Sequence, residues 1–113
     1  MDPKHQRLSV MDKIDAIKLS EEYLKRLSEN RVHFSEFWLF GSYAKNASRK
    51  NSDIDLAIVL DDDEEKSFET EVKLMIIREG EETAIEPHLF TKEEFAAATP
   101  IVRQIVTTGE KIA

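Results

Sequence analysis

Asp53 and Asp55 stand two positions apart at the head of an apolar stretch, DIDLAIVL, that runs to Leu60. Side chains alternate along an extended chain, so both carboxylates of such a segment project from one face. Carboxylates held that close repel each other, and a divalent cation between them removes the repulsion. Hard oxygen donors on a rigid strand suit Mg²⁺, which binds through one or two carboxylates and completes its shell with water and substrate phosphates. Upstream, ten residues separate Asp53 from the pair Gly41-Ser42, which closes an aromatic segment ending at Phe40. Glycine lets backbone approach a ligand closely, and a serine hydroxyl beside free backbone N–H groups can contact a phosphate. Downstream, Glu86 lies within AIEPHLF, flanked by apolar residues. A lone acid in such surroundings calls for a partner, because burying an unpaired charge is costly. If its strand pairs beside Asp53 and Asp55, Glu86 completes a three-carboxylate cluster. His88 follows two residues on and shares the face of Glu86.

These residues need elements to hold them. Val10, Ile14, Ile17, Leu24 and Leu27 recur on one helical face, and Asn30 is a suitable stop. His33–Phe40 reads as a strand, Ser42–Lys50 as one or two helical turns, and Asp53–Leu60 as a second strand. The acidic run Asp61–Glu65 reads as a solvated loop whose charge favours the start of the next helix. That helix carries Phe68, Val72, Met75 and Ile76, with Gly80 as its stop. Thr83–Phe90 reads as a third strand, and Pro87 within it predicts an edge position or a bulge. Thr91-Lys92-Glu93-Glu94 has capping-box form, and Thr99-Pro100 opens a last helix through Ile101, Val102 and Ile105 to Gly109. Trp38, the phenylalanines, Met11 and Met75 are expected in the core. The order predicts a small mixed α/β (α+β) domain, residues 1–113, with at least three strands flanked by helices.

Bulk properties narrow the functions. The 113 residues include 23 acidic and 16 basic ones, for a net charge of −7. A nucleic-acid-binding surface is ordinarily basic, so direct nucleic-acid binding is not expected. A nucleoside triphosphate remains accessible to an acidic protein when metal ions bridge the two. The chain has no cysteine, no run of about 18 apolar residues that would span a bilayer and no apolar signal segment, so a cytoplasmic protein with no membrane contact is expected.

A Gly-Ser alone is a turn and an Asp-x-Asp alone is usually surface, but their combination between strands at this spacing is specific. It resembles the nucleotidyltransferase superfamily that includes polymerase beta. Within it, the chain is most similar to the minimal nucleotidyltransferases, antitoxins paired with HEPN-domain toxins. The resemblance implies a palm-like fold, ATP as substrate, two Mg²⁺ ions, and a tyrosine hydroxyl of the toxin as acceptor of AMP. It implies Asp53, Asp55 and Glu86 as metal-binding and catalytic residues, with Gly41, Ser42 and Ser52 at the phosphates. Lys45-Asn46 departs from the Arg-Gly frequent in the family, and Glu86 stands in place of an aspartate. Two alternatives are an antitoxin that acts by binding alone and a transferase for aminoglycoside-type small molecules. The short chain, with little room for a second domain to build a small-molecule pocket, disfavours the last.

Overall fold

The computed structural model describes residues 11–49 and 52–113. Helix α1 spans Lys13–Glu29, and its first turn is closed by a reciprocal pair of bonds. The Asp15 N–H donates to Asp12 Oδ1 at 2.8 Å, and the Asp12 N–H donates to Asp15 Oδ2 at 3.2 Å. Such a box satisfies amides that the helix itself leaves unpaired. The buried stripe is Ala16, Ser20, Tyr23 and Leu27, with Ile17 and Leu24 flanking it. Ile14, expected inward, is 63% exposed, and Val10 lies outside the described residues. The stripe escapes hydropathy because two members are polar in type yet satisfied: Ser20 donates to the Ala16 carbonyl at 2.6 Å, and Tyr23 donates to the Leu74 carbonyl at 2.5 Å.

Strands β1 (Phe34–Phe40), β2 (Ile54–Leu60), β3 (Ile85–Phe90) and β4 (Glu110–Lys111) form one mixed sheet in the order β3-β2-β1-β4. Strand β1 runs antiparallel to β2 and β4, whereas β2 and β3 are parallel. Parallel neighbours require a crossover, here helix α2 (Phe68–Ile76) and a 3-10 turn at Gly80–Ala84. Pro87 sits on the edge strand β3, where the missing N–H costs least. Helices α3 (Lys92–Ala96) and α4 (Pro100–Thr108) follow.

Alternation divides the sheet into two faces. Phe37, Leu39, Ile54, Leu56, Ile58, Leu60, Ile85 and Leu89 pack with α1 and with Leu74 of α2 in the main core. Phe40, Ala57 and Ile105 of α4 form a smaller cluster on the other face, with Trp38, Phe90 and Phe95 against it. Asp55, Glu86 and His88 alternate onto that second face.

Helix α2 departs from the expected face. Leu74 is its buried residue, while Phe68 and Ile76 are 78% and 73% exposed and Met75, expected in the core, is also exposed. The Tyr23–Leu74 hydrogen bond fixes this rotation from a helix 51 residues away, which local periodicity does not register. Nor does Gly80 stop α2. The helix ends at Ile76, where Arg78 Nε donates to the Met75 carbonyl at 2.9 Å, and Gly80 at φ +55° opens the 3-10 turn. Within that turn, Glu82 is buried and receives both Arg26 Nε and Nη2 at 3.0 Å, tying α1 to the crossover. None of the described helices is long and apolar enough to cross a membrane.

Candidate functional site

Parallel pairing of β2 with β3 sets Asp55 opposite Glu86 and Ala57 opposite His88. Residues 31 positions apart in the chain thereby meet on one face of the sheet. Asp55, Glu86 and His88 each offer a ligand atom, and all three atoms lie within 4.8 Å of one another. His88 Nε2 and Asp55 Oδ1 are hydrogen-bonded at 3.1 Å. That bond to Asp55 is the main reason the His88 pKa is raised, with the negative charges of Asp55 and Glu86 adding to it and burial opposing it. The imidazole also packs edge-on to the Phe40 ring, with centroids 5.1 Å apart. A carboxylate pair with one imidazole is a donor set that accepts a divalent cation.

Gly41 follows β1 directly, and because Phe40 pairs with Asp55 it lies beside that carboxylate. Its φ is +76°, and a β-carbon there would overlap Asp55 Oδ2 and come within 3.3 Å of Cγ. Glycine is therefore required here by both backbone conformation and space.

The segment after Gly41 is a turn, not the helix expected over Ser42–Lys50. The Lys45 N–H reaches the Gly41 carbonyl at 3.3 Å and the Ala47 N–H reaches the Ser42 carbonyl at 2.8 Å, after which the chain is irregular to Arg49. Asn46, at φ +57°, breaks any helix at this point. Asparagine tolerates the left-handed region better than most side chains, so it serves where a glycine would otherwise be the natural choice. Tyr43 and Ala44 are buried in the main core and anchor the turn. Half-buried Ser42 stands at its start, and Lys45 is exposed.

Ser52 and Asp53 lead into β2. The Ser52 hydroxyl accepts the Arg49 N–H at 2.7 Å, and a hydroxyl in that role keeps an O–H with which it can donate. Asp53 is exposed and lies outside the Asp55–Glu86–His88 group. Thus the structure joins Asp55 to Glu86, sets Gly41 against Asp55, and adds His88 to them. The acidic run instead makes contacts of its own: ion pairs of Lys92 with Asp61 at 3.4 Å and Asp62 at 3.5 Å, and a hydrogen bond between His33 Nδ1 and Asp63 at 2.7 Å. The Gly41–Asp55 packing had no signal in either residue alone, since it depends on the β1–β2 register. A groove of about 520 Å³ leads away from Glu86 and His88 along β3 to Glu71, Met75 and Ile101.

Residues 18–111 match the family model for the nucleotidyltransferase domain. Among solved structures, a Sulfolobus solfataricus protein regarded as a nucleotidyltransferase superimposes with a TM-score of 0.64 at 16% identity, over 93% of this chain and 86% of that one. A toxin–antitoxin structure with AMP-PNP is similar at TM-score 0.55 and 25% identity, over 83% of this chain and 72% of that one. A mutant of the toxin–antitoxin MntA–HpeT gives a TM-score of 0.54 at 23% identity, with the same coverage of 83% and 72%. Among curated proteins, none matches the sequence.

Proposed function

Because this chain belongs to the nucleotidyltransferase-domain family, we propose that it transfers AMP from ATP to an acceptor hydroxyl, using Mg²⁺, and that the acceptor is a tyrosine of a HEPN-type toxin. The protein would then be the antitoxin of the pair. The observation that carries this reading is the matched register of Asp55 and Glu86 on parallel strands, with Gly41 packed on Asp55. The likeness to a toxin–antitoxin structure with AMP-PNP supports both the nucleotide and the kind of partner.

When bound, divalent cations supply the positive charge that activates the acceptor hydroxyl and offsets charge on the departing pyrophosphate. Asp53, Asp55 and Glu86 are the residues proposed to hold two such ions. Because Gly41 has no β-carbon, the Asp55 carboxylate can lie against the turn that follows β1. The Gly41 backbone and the Ser42 hydroxyl are assigned to the β- and γ-phosphates, and the Ser52 O–H to a neighbouring phosphate oxygen. The acceptor oxygen forms a bond to the α-phosphorus as the bond from that phosphorus to the α–β bridging oxygen breaks, and pyrophosphate leaves. Glu86, on the edge strand, either takes the acceptor proton or holds the acceptor-side ion. Positioning of this kind is a large part of what an enzyme contributes to such a displacement.

Intact-mass spectrometry tests the reading. The protein, ATP, Mg²⁺ and a co-purified toxin partner are incubated beside the Asp53→Asn/Asp55→Asn double variant. Addition of AMP to a partner tyrosine, absent with the variant, is the expected result. A stable complex without mass change would instead support neutralisation by binding alone. The exposed apolar residues Phe68 and Ile76, which with Val72 line one shallow groove on α2, favour that second reading.

A further inference from the structure

We propose that His88 is itself a ligand of the divalent-cation site, so that the site pairs two carboxylates with one imidazole and prefers Mn²⁺ to Mg²⁺. This rests on the proposed use of Asp55 and Glu86 as cation ligands. The strand pairing places the three side chains on one face, with Ala57–His88 one step beyond Asp55–Glu86 in register. Their ligand atoms already lie within 4.8 Å of one another. Donors bound to a common ion at about 2.1 Å lie no more than about 4.2 Å apart, so side-chain shifts of under about 1 Å close the set around an ion.

The surroundings hold His88 and Asp55 in place. The imidazole rests edge-on against Phe40, a side chain that is itself buried, and Asp55 occupies the space that Gly41 leaves by lacking a β-carbon. With His88 Nε2 only 3.1 Å from Asp55 Oδ1, an ion that takes Asp55 as a ligand meets the imidazole at the same time. Mg²⁺ demands an oxygen shell of near-ideal octahedral geometry, whereas first-row transition metals accept imidazole readily. A nitrogen donor in this position therefore shifts selectivity towards the transition series, of which Mn²⁺ is the member closest to Mg²⁺ in its other ligand preferences.

The alternative role for His88 is positional: it would donate a hydrogen bond to Asp55 and never touch the ion. Pulsed electron paramagnetic resonance of the full-length protein loaded with Mn²⁺ separates the two. Nitrogen-14 modulation from a directly bound imidazole is expected in wild type and absent in His88→Gln. Equilibrium titration should show the preference for Mn²⁺ over Mg²⁺ falling about tenfold or more in His88→Gln. In His88→Asp, an all-oxygen site, Mg²⁺ binding should strengthen relative to Mn²⁺. Circular dichroism on both variants ensures that only folded protein is compared. Absence of nitrogen modulation in wild type would overturn the proposal, as would equal weakening of Mn²⁺ and Mg²⁺ in His88→Gln. Nitrogen modulation without AMP transfer to any partner would sink the proposed activity and leave this ligand in place. Transfer without modulation would do the reverse.

Discussion

The α-carbon of Gly41 rests against the Asp55 carboxylate so closely that no β-carbon fits between them. Gly41→Ala therefore has to move Asp55 as well as adopt a φ of +76°. We expect a stability loss of about 1–3 kcal/mol from the backbone conformation. Transfer should fall by about a hundredfold through misplacement of the carboxylate. Thermal melts and single-turnover rates measure the two effects. A variant that kept both would show that the turn has more room than its geometry indicates.

Asp53 and Asp55 should separate in their structural consequences. Asp53 is exposed, so Asp53→Asn is expected to change stability by no more than about 0.5 kcal/mol. Asp55→Asn removes the charge from the group that bonds His88 at 3.1 Å and should weaken that contact. Both substitutions should reduce transfer by about 10³-fold. Proton NMR of the imidazole, read alongside transfer rate, distinguishes them. A change in the His88 signals with Asp53→Asn as large as with Asp55→Asn would place Asp53 closer to the ring than its exposure suggests.

On helix α2, neighbours should respond oppositely to truncation. Leu74 is fully buried and anchors the helix on the main core, so Leu74→Ala should cost about 2–5 kcal/mol. Ile76→Ala, on a side chain 73% exposed, should lie within about 0.5 kcal/mol of wild type. Chemical denaturation of the three proteins decides the matter. Equal losses would mean that the exposed face is covered in solution.

Glu94 provides a pH test remote from the site. Its pKa is lowered, chiefly because its carboxylate accepts the Thr91 N–H at 3.0 Å, with the Lys66 ammonium also at 3.0 Å. A carboxyl whose folded pKa is depressed stabilises the fold above its unfolded value, near 4.5, and loses that contribution as pH falls through the folded value. The melting-temperature advantage of wild type over Glu94→Gln should hold at neutral pH and shrink on acidification below about pH 4.5. An advantage independent of pH would assign it to packing of the side chain, not to its charge.

The legible parts of the molecule were those governed by local chemistry. The β2 strand, the edge placement of β3 from Pro87, the Thr91 capping box and the Pro100 helix start all follow from neighbouring residues. What sequence could not give was rotation and register. The inward face of α1 runs through Ser20 and Tyr23, whose polar groups are satisfied by backbone carbonyls, so hydropathy points elsewhere. The helix expected after Ser42 is stopped by Asn46 in the left-handed region. At the candidate site, the types of Asp55, Glu86 and His88 were readable, but their meeting depends on a pairing across the whole crossover.

That pairing makes the acidic cluster a checkpoint on the fold itself. Slipping β3 by one residue against β2 would carry Glu86 and His88 to the face of the main core and bring Pro87 and Leu89 out in their place. Two polar groups would then be buried without partners, and no trio of ligand atoms would remain. Misregistered chains thus lose stability and chemistry in the same step, so a bound metal ion would count only correctly threaded molecules.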